Sequence, residues 1–205
     1  TNKFLFTSSG LKIPGKKNLC QTAYEVLKNK FDISPVHIHL HKLIPIGSGL
    51  GGGSSDASFV LKGLNQMFNL KLSNSDLEKI SKDIGADCPF FIENKTKYVT
   101  GIGDKMKKIN LDLSNYTIKL THSNINISTA NAFSNIKGHQ QNIVTENLSD
   151  LQIESWKNEV KNDFENNVFE IYPQLKIEKE KFYSEGAIYS SMTGTGSTIY
   201  GIFKK

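Results

Sequence analysis

The sequence predicts an α+β fold, and three observations carry the prediction. Apolar residues alternate strictly in some segments and recur at helical spacing in others, so both periods are present. The strand-like and helix-like segments do not follow one another in regular βαβ order. Finally, the 205 residues are 38% hydrophobic and 22% charged, a composition able to bury a core. No apolar run approaches the roughly 18 residues of a membrane span.

The opening T-N-K-F-L-F lacks a basic stretch followed by a long apolar one, so no secretory leader is expected. N-L-C-Q-T-A-Y-E-V-L reads as a helix start, with Ala23, Val26 and Leu27 on its apolar face. V-H-I-H-L-H at 36–41 is a strand, with Val36, Ile38 and Leu40 on the buried face and His37, His39 and His41 opposite. Alternate strand residues stand about 7 Å apart. With no carboxylate nearby in sequence, a metal site on those histidines is not expected.

After a glycine-rich stretch, Ala57, Val60, Leu61, Leu64, Met67 and Phe68 recur at helical spacing, predicting a helix from near Ser55 to near Asn69. A second helix follows, capped by Ser75 and Glu78 and stopped at Gly85. In A-D-C-P-F-F-I, Pro89 biases Cys88 toward extended backbone, and Phe90 to Ile92 read as the start of a strand. Residues 98–104 and 116–121 give further strand and turn, and 148–183 are mostly helical with a break near Pro173. The chain closes on a second glycine loop running into a β-branched strand.

The formal charge is +5, but all 25 basic residues are lysine, scattered, and unaccompanied by aromatics. Base recognition and phosphate clamping lean on the arginine fork, so no nucleic-acid partner is expected. Cys20 and Cys88 are too few for a disulfide framework and fit a cytoplasmic location. Each is read as a buried structural thiol, with a catalytic role as the alternative.

P-I-G-S-G-L-G-G-G-S-S-D-A-S at 45–58 holds five glycines between a strand and a helix. Gly47, Gly49 and Gly52 satisfy G-x-G-x-x-G, but no second strand with an acidic end follows as a dinucleotide site requires. Gly53 and Ser54 replace the Lys-Ser/Thr pair of a Walker loop, and no H-R-D motif follows to make a protein kinase. What remains is a run of backbone N–H groups opening onto a helix N-terminus, which suits anionic oxygen. A tight turn that needs positive φ is the alternative.

These residues resemble the second motif of the GHMP kinase superfamily, and T-G-T-G-S-T-I-Y-G-I-F resembles its C-terminal glycine motif. Within the superfamily, I-G-A-D-C-P-F-F-I resembles the G-A-D-x-P-F-F of the 4-diphosphocytidyl-2-C-methyl-D-erythritol kinase family, bacterial enzymes of the non-mevalonate isoprenoid pathway. I-S-T-A-N-A-F at 127–133 and N-D-F-E at 162–165 also have counterparts there. The resemblance implies a two-layer GHMP fold, with a ribosomal protein S5 domain 2-like ATP-binding part at 1–114 and a ferredoxin-like part at 115–205.

It also implies ATP and Mg²⁺ as cofactors and a small-molecule cytidine diphosphate substrate, handled by a monomer or homodimer. The ATP phosphates would lie on Pro45, Ile46, Gly47, Ser48, Gly49, Leu50, Gly51, Gly52, Gly53, Ser54 and Ser55, with Ser55 also meeting the metal. Asp87 would be the catalytic aspartate; read without the resemblance, it is an Asx-turn residue. Phe133 would stack on the cytosine, or else belong to the core of a short helix. Thr193, Gly194, Thr195 and Gly196 would lie near the acceptor, or else form a hairpin-like turn.

The family's first motif is P-A-K-x-N-L. Lys16-Lys17-Asn18-Leu19 fits its last four letters, but lies only about 30 residues before the glycine loop in what reads as a helix start. The motif is therefore expected to be absent, and the sequence to be that of an N-terminally truncated kinase. Two further readings stay open: another GHMP kinase of the homoserine or mevalonate type, and a nucleotide-binding module without catalysis.

Overall fold

The computed structural model describes residues 2–15, 17–121, 123, 125–134, 148 and 151–205, so Lys16 lies outside the described residues. The chain forms two compact units, Thr1–Ile46 with Gly51–Lys108, and Gly47–Leu50 with Ile109–Lys205. Among the described residues no helix is long and apolar enough to cross a membrane.

The first unit opens with β1 (Leu5–Gly10), α1 (Leu19–Lys30) and β2 (His37–Lys42), with β1 and β2 parallel. Asn18 caps α1: its side chain accepts from the Cys20 N–H at 2.9 Å, while Gln21 accepts from the Asn18 N–H at 2.8 Å. Such a reciprocal cap favours a helix beginning where the sequence reading places it. On the β1/β2 face opposite the core, Thr7 Oγ1 bonds His37 Nε2 and His39 Nδ1, both at 2.8 Å. Ser9 Oγ bonds His39 Nε2 and His41 Nδ1, both at 2.9 Å. The three histidines thus form one exposed ladder with two hydroxyls.

Next come α2 (Gly52–Met67), α3 (Asn74–Ser81), α4 (Cys88–Glu93) and the hairpin of β3 (Lys97–Thr100) with β4 (Lys105–Lys108). Ala57, Leu61 and Leu64 of α2 pack with Ala23 and Leu27 of α1, Leu77 and Ile80 of α3, and Ile92 of α4. Two expectations are corrected here. Ser73 caps α3, with its hydroxyl accepting from the Asp76 N–H and Asp76 accepting from the Ser73 N–H at 3.0 Å, in place of the Ser75/Glu78 box. Both pairs share one spacing in S-N-S-D-L-E, and the chain uses the earlier. Residues 90–92 are helical rather than extended, because Pro89 falls in the first turn of α4, where a missing N–H breaks no bond.

Behind that turn, Glu93 accepts from Lys97 at 3.0 Å and Lys108 at 2.9 Å, and Lys97 also reaches Glu78 at 3.1 Å. The Lys108 and Lys97 hydrogen bonds hold Glu93 down from an ordinary 4.5 to about 2. A depressed carboxylate contributes stability above its ordinary pKa and loses it as pH falls through the folded value. The melting-temperature gap between the native chain and Glu93→Gln should therefore be widest above about pH 5 and close on acidification toward pH 2. A gap independent of pH would count against this.

The second unit is built on an antiparallel sheet, β5 (Tyr116–Thr121), β7 (Ile199–Lys204) and β6 (Tyr189–Met192), in that order. Around it lie α5 (Thr129–Ser134), a 3₁₀ turn (Ile153–Ser155), α6 (Trp156–Glu159), α7 (Glu165–Ile171) and α8 (Pro173–Ser184). The expected helical break is at Tyr172, and Pro173 opens α8. Strand alternation splits the sheet between two clusters. Met192, Ile199 and Phe203 pack with Val168, Leu175 and Phe182, whereas Tyr189 and Ile202 pack with Ile153 and Trp156.

Candidate functional site

In the first unit the candidate site begins where β2 hands over to α2. Gly51, the residue before α2, has φ +65°, a left-handed conformation that disfavours any side chain. Its carbonyl accepts from the Ser55 N–H at 2.9 Å, closing the first helical turn. The amides at the start of a helix have no intrahelical acceptor and lie at the positive end of its dipole. Gly52, Gly53 and Ser54 place such amides there, and Ser54 and Ser55 add half-buried hydroxyls.

Asp87 immediately precedes α4. It is exposed, it makes no side-chain capping bond, and among the described residues it has no hydrogen-bond or ion-pair partner. The next residue is firmly held, because the buried Ser58 hydroxyl of α2 lies 2.8 Å from the Cys88 carbonyl. The backbone is therefore fixed while the Asp87 carboxylate is left open to a ligand.

One residue pair escaped the sequence reading. Lys42 is 3% exposed, and its ammonium lies 2.5 Å from Asp56 Oδ2 in α2. A Cβ added to Gly52 would stand 3.2 Å from that ammonium. The signal was available: strand parity puts Lys42 on the same face as Val36, Ile38 and Leu40, and a charge on a buried face needs a partner. Nearby, burial pushes the Cys20 thiol up to about 12 and also raises Cys88. Both stay protonated at neutral pH, which fits structural rather than nucleophilic cysteines.

In the second unit, the first half of the glycine motif lies against the C-terminal glycine loop at 193–198. Thr193 Oγ1 donates to the Gly49 carbonyl at 3.0 Å, and the Thr198 N–H donates to the Ser48 carbonyl at 3.1 Å. A Cβ on Gly49 would fall 2.1 Å from the Thr193 carbonyl oxygen, so two backbones meet where no side chain fits. Thr193, Gly194, Thr195 and Gly196 do connect two antiparallel strands, but the loop also grips a segment distant in sequence. Phe133 lies on a short helix as expected, yet it is 60% exposed rather than in the core. Its ring meets Phe164 edge to face, with centroids 5.0 Å apart. Among the described residues, no group of three or more His, Cys, Asp or Glu side chains is arranged to hold a metal ion.

The GHMP kinases N terminal domain matches residues 18–95, and the GHMP kinases C terminal family matches residues 144–205. A 4-diphosphocytidyl-2-C-methyl-D-erythritol kinase of Azobacteroides pseudotrichonymphae is 45% identical over 98% of this chain and 76% of its own length. One of Cytophaga hutchinsonii is 46% identical over 97% of this chain and 75% of its own length. The chain belongs to the 4-diphosphocytidyl-2-C-methyl-D-erythritol kinase family. A crystal structure of a 4-(cytidine 5'-diphospho)-2C-methyl-D-erythritol kinase superimposes with a TM-score of 0.78 at 24% identity, covering 98% of this chain and 73% of that one. A homoserine kinase from Cytophaga hutchinsonii superimposes with a TM-score of 0.76 at 15% identity, over 99% and 72%. At such identities both show a common fold only, so the structural likeness does not separate this kinase family from its superfamily neighbours. The sequence identity does.

Proposed function

We propose that this chain transfers the γ-phosphoryl group of ATP to the 2-hydroxyl of 4-diphosphocytidyl-2-C-methyl-D-erythritol, a step of non-mevalonate isoprenoid precursor synthesis. Identity over nearly the whole chain to kinases named for that substrate carries the reading. Phosphoryl transfer asks for positioning and charge neutralisation rather than covalent catalysis, and the residues suit both tasks. The open amides of Gly52, Gly53 and Ser54 would take the phosphate oxygens, and the glycines keep side chains out of the way. Mg²⁺ takes most of its ligands from phosphate and water, so a single hydroxyl such as that of Ser55 suits it without a carboxylate cage. When bound, it would neutralise charge on the phosphates.

The unpartnered Asp87 carboxylate would accept the proton of the substrate hydroxyl as its oxygen bonds to phosphorus and ADP departs. Phe133 would offer its open face to the cytosine.

The test is a competition assay with ATP, the cytidine substrate, homoserine and mevalonate, in which the products are weighed by mass spectrometry. One phosphate added to the cytidine substrate alone is the expected result. Equal phosphorylation of homoserine would overturn the substrate assignment.

A further inference from the structure

Two side chains of the short stretch 162–165 reach the elements assigned above to the two substrates, and a third anchors the stretch. The Asn162 amide spends both its hydrogens on the C-terminal glycine loop, donating to the Met192 carbonyl at 2.7 Å and the Gly194 carbonyl at 2.8 Å. That loop in turn holds Ser48 and Gly49. Two residues on, Phe164 sets its ring edge to face against Phe133, at an interplanar angle of 82°. The two arms are joined, because Asn162 Oδ1 accepts from the Phe164 N–H at 2.9 Å. Glu165, 7% exposed, anchors the root by accepting from the Met192 N–H at 2.8 Å and the Ser191 hydroxyl at 3.0 Å, and from Lys179 at 2.5 Å. The Asn162 amide hydrogens and one Glu165 oxygen are thus spent on the loop or the strand that leads into it. A segment needed only to fill the core would use apolar contacts instead.

We infer that Asn162 and Phe164 are positioning residues for the two substrates, Asn162 acting through the glycine loop on the ATP segment 47–50 and Phe164 acting through the Phe133 ring on the cytosine. The inference rests on the family resemblance, which gives Gly47 to Leu50 to ATP, and on the proposal above that Phe133 meets the base. It makes a separable prediction, since the two arms leave the segment in different directions. Phe164→Leu keeps much of the apolar bulk but loses the aromatic edge, so CDP affinity should fall about three- to tenfold while ATP affinity stays within about twofold. Asn162→Asp keeps the acceptor for the Phe164 N–H but leaves two carbonyls without their donor, so ATP affinity should fall about five- to thirtyfold while CDP affinity stays within about twofold. Phe164→Tyr, which restores the ring edge, should recover CDP binding.

The experiment is calorimetric titration of the 205-residue chain and each variant with CDP and with ATP plus Mg²⁺, alongside Phe133→Ala. Circular dichroism checks that each variant is folded. Should Asn162→Asp fail that check, Asn162→Ser, whose hydroxyl can still accept from the Phe164 N–H, replaces it. Opposite selectivity of the two arms supports the inference. Parallel loss of both affinities would show a merely structural segment and overturn it. If Phe133→Ala weakens CDP but Phe164→Leu does not, the inference fails while the base-binding proposal stands. If Phe133→Ala leaves CDP binding unchanged, that proposal fails first and takes the inference with it.

Discussion

Asp87→Asn should lower kcat by about two to four orders of magnitude while leaving ATP affinity within about twofold, whichever length of chain is assayed. The prediction is sharp because the substitution removes so little else. Asp87 is exposed and makes no capping bond, and among the described residues nothing donates to it. Asparagine keeps the shape but loses the negative charge, and with it the ability to accept a proton. A change in melting temperature should therefore be within about 0.5 kcal/mol of stability, as for other surface replacements. The measurement is kcat at saturating substrates, paired with ATP titration and thermal melting. Retention of the full rate would remove Asp87 from the reaction.

Gly51→Val should abolish ATP binding by two routes that add. A β-branched residue at φ +65° carries about 1–2 kcal/mol of strain. The new Cβ would also lie 2.9 Å from the Phe91 ring carbons Cε2 and Cζ, and overpacking of that kind costs about 1–3 kcal/mol. Relief requires moving the backbone whose carbonyl closes the first turn of α2, so the amides offered to phosphate move too. Affinity should drop by about two orders of magnitude or more. Gly63→Ala is the control, since a Cβ there meets nothing within 4 Å, and it should bind ATP normally. A folded Gly51→Val chain with native ATP affinity would sink the phosphate-loop proposal.

The glycine loop around Gly51 was legible because its signal is local, whereas Asp87 stood out only through the family resemblance. Five glycines at a strand-to-helix junction point to close backbone approach, and the strict alternation of 36–41 marks a strand without tertiary information. The failures are equally physical. Residues 88–92 form a short apolar run, whose period cannot separate a strand from a single helical turn, and proline is compatible with either start. β1 went unread because L-F-T-S-S-G carries little apolar weight and gains its strand pairing only from β2. N-D-F-E stood out only through the family resemblance, and the service of Asn162 to a loop 30 residues away could not be read from it, because an asparagine before a helix looks like any cap.

The ladder of Thr7, Ser9 and three histidines carries a consequence for where hydrogens can reside. Each hydroxyl has a single hydrogen and lies between two ring nitrogens, so it can donate to one and must receive from the other. Neutral His39 carries its hydrogen on one nitrogen only, leaving the other bare. If the bare one is Nδ1, Thr7 donates to it and His37 must bear its hydrogen on Nε2. If it is Nε2, Ser9 donates there and His41 must be the Nδ1 tautomer. The isomeric form of the central ring thus dictates that of one outer ring, on the left or on the right but never neither, and so links exposed imidazoles that share no direct bond.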